Sequence, residues 1–146
     1  MPLNMVIDAS VMAKWFIDEK NSFDAQALME QYINGEILLF SPSLIYFEVL
    51  NALKYSKIFD IESLNLIGQT IDDYGIERIA ITRNIRSMMI KISVNYDLSI
   101  YDASYVAIAL EMDMKLITAD RKIKKKLPSD LKKSIIDLCD YSPKQN

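Results

Sequence analysis

The chain has 146 residues and a net charge of −3, a length suited to one domain that buries roughly two-thirds of its unfolded surface. It contains no histidine and a single cysteine, Cys139; this excludes an intramolecular disulfide, Cys-rich zinc sites, histidine–metal sites and every His-dependent catalytic mechanism. The acidic balance excludes a globally basic nucleic-acid binder, so any nucleic acid would have to be held by a local basic surface and by metal.

Leu3 to Ile7 is a short apolar run closed by Asp8, the pattern of a buried parallel strand. Ser10 is a candidate N-cap for a helix carrying Val11, Trp15 and Phe16. A second helix is predicted over 22–33, with Phe23, Ala27 and Met29 near one face, and Asn34-Gly35 stops it. Ile37 to Phe40 reads as a strand, and Ser41-Pro42-Ser43 opens the helix that carries Glu48. A fourth helical pattern spans 61–74 with Leu64, Ile67 and Ile71 on one stripe, ended by Gly75.

Residues 76–81 form the third predicted strand, and Thr82 or Asn84 starts a helix with Ile85, Met88, Met89 and Ile92. The segment after Tyr101 is apolar almost all round, hence a buried helix. Lys115 to Thr118 is the fourth strand, followed by Asp120 and a basic stretch; residues 134–138 are a last short strand. Strands separated by helices imply a three-layer α/β/α fold around a parallel sheet of four to five strands. No linker or internal repeat is evident, so residues 1–141 read as one domain and 142–146 as a frayed tail. The start of the chain lacks the pattern of a signal peptide, and no apolar run reaches the ~18–20 residues of a membrane span. A cytoplasmic, reducing setting with no membrane partner is expected.

Four acids interrupt or end these apolar stretches: Asp8, Glu48, Asp102 and Asp120. Carboxylates are rarely buried without a compensating partner. If the fold gathers them, each pair repels by ~2–3 kcal/mol at an effective dielectric near 20, and together the pairs approach the ~15 kcal/mol stability of a whole domain. A divalent cation is the simplest way to offset that cost, and oxygen ligands suit Mg²⁺ or Mn²⁺. Ligands in open α/β sheets bind beyond the carboxyl ends of the strands, where Asp8 and Asp120 fall.

Asp8-Ala9-Ser10 after the first strand, the helical Glu48 some forty residues on, the Tyr-Asp-Ala-x-Tyr-x-x-x-Ala segment from Tyr101 to Ala109, and Thr118-Ala119-Asp120 after a strand occur in that order. Singly these motifs are weak; in series, and over almost the whole chain, they resemble the PIN-domain nucleases, most of all the single-domain VapC toxins of toxin–antitoxin pairs. That resemblance implies a PIN-like fold and a Mg²⁺- or Mn²⁺-dependent endoribonuclease leaving 5′-phosphate and 3′-hydroxyl ends. It carries catalytic and metal-binding roles onto Asp8, Glu48, Asp102 and Asp120, with Ser10 and Thr118 supporting them. It also implies a small antitoxin partner and a homodimer. Asp113 departs from the pattern, since many relatives have Gly there. Asp97 is read as a helix-end residue outside the site.

Each acid has a bland alternative: Asp8 or Asp102 as a helix N-cap, Asp120 as a solvated turn residue. Glu48 has no cation at helical spacing and is the hardest to explain structurally. The basic run with Arg121, Lys122, Lys124 and Lys125 is either a solvated face or an RNA-backbone contact. Tyr46, Tyr101 and Tyr105 either stack on bases or belong to the core. Trp15, Phe16, Phe59 and the methionines are candidate apolar surface for association. Two other functions fit such a sheet. One is a catalytically silent interaction domain. The other is a different metal-dependent phosphoryl hydrolase, although an aspartyl-nucleophile phosphatase would need an acid where Ser10 stands.

Overall fold

The computed structural model describes residues 2–141; the expected tail at 142–146 lies outside the described residues. Five strands run parallel: β1 (Leu3–Ile7), β2 (Ile37–Ser41), β3 (Glu77–Arg78), β4 (Lys115–Thr118) and β5 (Ile135–Asp137), in the order β3-β2-β1-β4-β5. The helices are α1 (Ala9–Met12), α2 (Ser22–Ile33), α3 (Leu44–Tyr55), α4 (Ile61–Tyr74), α5 (Arg83–Tyr96), α6 (Ile100–Glu111), α7 (Arg121–Lys126) and α8 (Ser129–Lys132), with 3₁₀ turns at Ala13–Trp15 and Leu138–Asp140. This is the three-layer α/β/α arrangement with helices over the faces of the sheet. Met5, Val6 and Ile7 in central β1 are fully buried, because a strand covered on both faces needs apolar side chains in both directions. α6 is buried along Ala103 to Ala109, packing on α5, β1 and β4, as its all-round apolarity requires.

Most element boundaries follow the sequence pattern; three features do not. The third strand shrinks to two residues because it lies at the sheet edge and β2 offers partners only as far as Phe40↔Glu77 and Ser41↔Arg78. Phe23 is 85% exposed, while α2 buries Ala25, Leu28 and Gln31 instead. Trp15 is core, donating its indole N–H to the Ala25 carbonyl at 2.9 Å, while Phe16 and Phe59 pack against the core and stay partly exposed. The exposed large apolar groups are elsewhere, including Phe47, Tyr55, Ile58, Ile61 and Leu66 on and around α3 and α4. Asp97 is the left-handed C-cap of α5, as expected of a helix-end residue. Asp113 keeps the turn that a glycine would make, at φ 52°. No helix among the described residues is long and apolar enough to cross a membrane.

Candidate active site

The strand order reverses direction between β1 and β4, since β2 and β3 extend one way from β1 and β5 the other way from β4. A crevice opens at the carboxyl edge of such a switch point. Asp8 directly follows β1, and Thr118 ends β4. The register Ile7↔Ile117 brings these two residues abreast.

Asp8 is 4% exposed and fixed through both oxygens. Oδ1 accepts the Ser10 and Val11 backbone N–H groups at 3.1 and 3.3 Å and the Ser10 hydroxyl at 2.5 Å. Oδ2 accepts the Thr118 hydroxyl. Asp8, not Ser10, is therefore the N-cap of α1; Ser10 sits within the first turn, where its Oγ also accepts the Ala119 N–H at 2.9 Å and stitches α1 to the end of β4. Thr118 Oγ1 in turn accepts the Asp120 N–H at 3.0 Å. Ser10 and Thr118 thus hold Asp8 in place. Burial pushes the Asp8 carboxyl up to about 6; the hydrogen bonds from Ser10, Thr118 and Val11 oppose the rise and the Asp102 charge adds to it.

Glu48 lies half-buried in the second turn of α3. Its Oε1 accepts the Tyr105 hydroxyl at 2.6 Å, a contact between residues 57 apart in sequence. Burial raises the Glu48 carboxyl, the Tyr105 bond lowers it, and Asp102 raises it again. Burial, with the adjacent Glu48 carboxylate, holds the Tyr105 phenol far above its ordinary range, so it stays a donor. Tyr105 is thus neither a base-stacking ring nor plain core. The sequence carried one signal for it: Tyr105 stands three residues after Asp102, on the same helical face.

Asp102 is not a cap. Ser99 caps α6, accepting the Asp102 N–H at 3.0 Å, so the Asp102 carboxylate takes no part in the cap. Burial raises it, the Asp120 charge raises it further, and the Ser99 bond and the Lys126 charge lower it. Asp102 therefore feels or imposes charge on each of Asp8, Glu48 and Asp120. Asp120 caps α7, accepting the Lys122 N–H at 3.0 Å, a structural role that leaves its second oxygen uncommitted by any described hydrogen bond.

The four acids thus share one rim, and among the described residues none of them forms an ion pair. Among the described residues, no three metal-ligating side chains are gathered tightly enough to make a cation cage. The donor chemistry nevertheless suits a hard divalent cation: oxygen ligands only, partly desolvated, and repelling one another through Asp102, which the Lys126 charge offsets only in part. The basic residues lie alongside, on α7. Ile123 anchors that short helix in the core, Arg121, Lys122 and Lys125 are exposed and Lys124 is partly so. Lys126 is tied to the carbonyl of Asp97 at 2.8 Å.

Two cavities meet at Glu48. One, of ≈ 790 Å³, runs along α3 and α4 past Leu44, Phe47, Leu50, Lys54, Leu64 and the exposed Tyr101. The other, of ≈ 400 Å³, holds Ser10, Glu48 and Asp120 together with Lys14 and Glu19. Lys14 is the residue sequence reading missed, although its place four after Ser10 sets it on the same face of the turn.

A doubly covered parallel sheet with acids at its switch point fits the PIN domain, whose family model matches residues 5–126. The chain belongs to the PIN-domain family. It is 24% identical over 131 residues to Ribonuclease VapC3 of Pyrobaculum aerophilum, covering 87% of this chain and 97% of that one. The crystal structure of PAE2754 from Pyrobaculum aerophilum superimposes with a TM-score of 0.65 at 19% identity, over 94% of this chain and 92% of the other. A toxin–antitoxin complex from Klebsiella pneumoniae gives 0.65 at 17% identity, over 92% and 97%. The chain is thus VapC-like in sequence and shares the fold of these two structures.

Proposed function

We propose that the protein is a Mg²⁺- or Mn²⁺-dependent endoribonuclease acting as the toxin of a VapBC-type pair. The observation that carries this reading is the fixed, buried Asp8 at the β1/β4 switch point, charge-coupled through Asp102 to Glu48 and Asp120, with no ion pair to any of them among the described residues. Family membership and the similarity to a VapC ribonuclease support it.

In this reading Asp8, Glu48, Asp102 and Asp120 would hold the cation. A bound divalent ion supplies a water of lowered pKa and charge stabilisation on the phosphate and leaving oxygen. The chain's own residues supply the rest. Ser10 and Thr118 keep Asp8 from rotating. Tyr105 fixes one oxygen of Glu48 and leaves the other to orient the attacking water. Arg121, Lys122, Lys124 and Lys125 meet the RNA backbone beside the cleft, which adds salt-dependent affinity to an otherwise acidic protein. The similarity to a toxin–antitoxin complex supports an antitoxin partner, and the exposed apolar groups on α3 and α4 offer surface for that partner or for a homodimer. Cytoplasmic action follows from the same reading, because a ribonuclease toxin must meet cellular RNA. The test is internal cleavage of total cellular RNA by the purified protein, supported by Mg²⁺ or Mn²⁺ and abolished by EDTA. No cleavage of that pool with either metal would contradict it.

A further inference from the structure

The ≈ 400 Å³ cavity beside the acids has an uneven lining. Ser10, Glu48 and Asp120 line it together with four alanines, whose small side chains leave the space open, and with Lys14 and Glu19. Lys14 is the one cation in that lining. Its side chain is only 12% exposed, and its ammonium donates to Glu19 Oε1 at 3.0 Å and to the Lys20 carbonyl at 2.8 Å. A lysine ammonium has three N–H donors, and these two acceptors leave one uncommitted. Lysines are seldom buried to this degree. Lys14 lines the cavity that also holds Ser10, Glu48 and Asp120, and its ammonium is held in place by Glu19 and the Lys20 carbonyl.

We infer that Lys14, held by Glu19, is the cation that receives an RNA phosphate in this cavity, next to the acids. The inference rests on the nuclease reading and adds to it a substrate contact outside the basic helix α7. A phosphodiester entering an acidic cleft meets repulsion from every carboxylate there. With no histidine in the chain, Lys14 is the side chain in this lining able to neutralise phosphate charge. Glu19 acts as a holder. Its charge keeps the ammonium from folding onto Glu48 or Asp120, and it yields part of the ammonium's attraction when phosphate arrives.

The test is fluorescence anisotropy with a labelled, mixed-sequence single-stranded RNA in Ca²⁺ at several KCl concentrations, with melting temperatures measured beside it. Wild type should bind with a salt dependence that shows phosphate contacts. Lys14→Met should weaken binding by ~5–10-fold and flatten the plot of log Kobs against log [salt] by about 0.7, the value for one lost contact to a single strand. Lys14→Arg should restore both, even if Lys14→Met melts earlier. Glu19→Gln should tighten binding or leave it unchanged. Were the pair only a latch between the 3₁₀ turn and residues 19–20, both neutral variants would melt earlier and neither would move the slope. Lys14→Met with the wild-type slope and affinity, or Lys14→Arg as weak as Lys14→Met, overturns the inference while leaving the nuclease reading intact. A wild type that binds no RNA takes both down.

Discussion

Replacing Asp8 with Asn should stabilise the metal-free protein at neutral pH while damaging its metal response. Asn keeps the cap: its carbonyl oxygen accepts the Ser10 and Val11 N–H groups, and its amide donates to the Thr118 oxygen that Asp8 Oδ2 now faces. What it removes is the cost of a buried charge. The Asp8 carboxyl rises from 3.8 to about 6 in the folded state, on the order of 3 kcal/mol. The sign follows from proton uptake: the folded state holds its proton more tightly than the unfolded state. This contribution is fully present below pH 3.8 and is lost as pH rises through about 6. At pH 4 in EDTA the two proteins should therefore melt close together. At pH 7.5 Asp8→Asn should melt higher by roughly 10 °C. Added Mg²⁺ at a hundred times its Kd should raise wild type by about 2.7 kcal/mol and the variant by much less. Thermal melts across pH 4–8, with EDTA and with Mg²⁺, read all of this. Parallel curves, with the variant less stable at every pH, would refute the reasoning and make Asp8 a helix cap only.

Tyr105→Phe deletes the hydroxyl on Glu48 and little else; a hydrogen bond to a charged group contributes about 1.5 kcal/mol or more, so single-turnover cleavage should fall ~10-fold. Because the lost bond lowers the Glu48 carboxyl, the acid limb of the rate–pH profile should move to higher pH, and an unmoved limb would contradict the positioning role. Asp113→Gly relieves a side chain held at φ 52° and should stabilise the fold by up to ~1 kcal/mol. A urea midpoint that falls would show that the Asp113 side chain contributes more than the strain costs.

How much of this was legible in the sequence depends on the reach of each interaction. The strand ends carrying Asp8 and Asp120, the helix carrying Glu48 and the buried α6 all follow from apolar runs and their terminators, which are local. The cap lies two residues before the expected Ser10, because Asp8 and Ser10 are both good caps and the tertiary contact of Ser10 with Ala119 separates them. The shortened β3 depends on where its partner β2 ends, and the exposed Phe23 on which face of α2 meets the sheet. Tyr105 on Glu48, and Lys14 over the acid cavity, are pairings across the fold that spacing within one element does not encode. The acids, with Ser10 and Thr118 beside Asp8, could be named from sequence; the contacts of Tyr105 and Lys14 are set by the tertiary fold.

The most direct test of the central claim is cleavage of total cellular RNA by wild type and Glu48→Gln, purified in parallel, with Mg²⁺ or Mn²⁺ and with EDTA. Gln keeps the size of Glu48 and an oxygen for the Tyr105 hydroxyl, and removes only the charge. Wild type should show metal-dependent internal cleavage, and the variant a loss of at least ~100-fold. Full metal-dependent cleavage by Glu48→Gln would contradict it and place the activity outside these four acids.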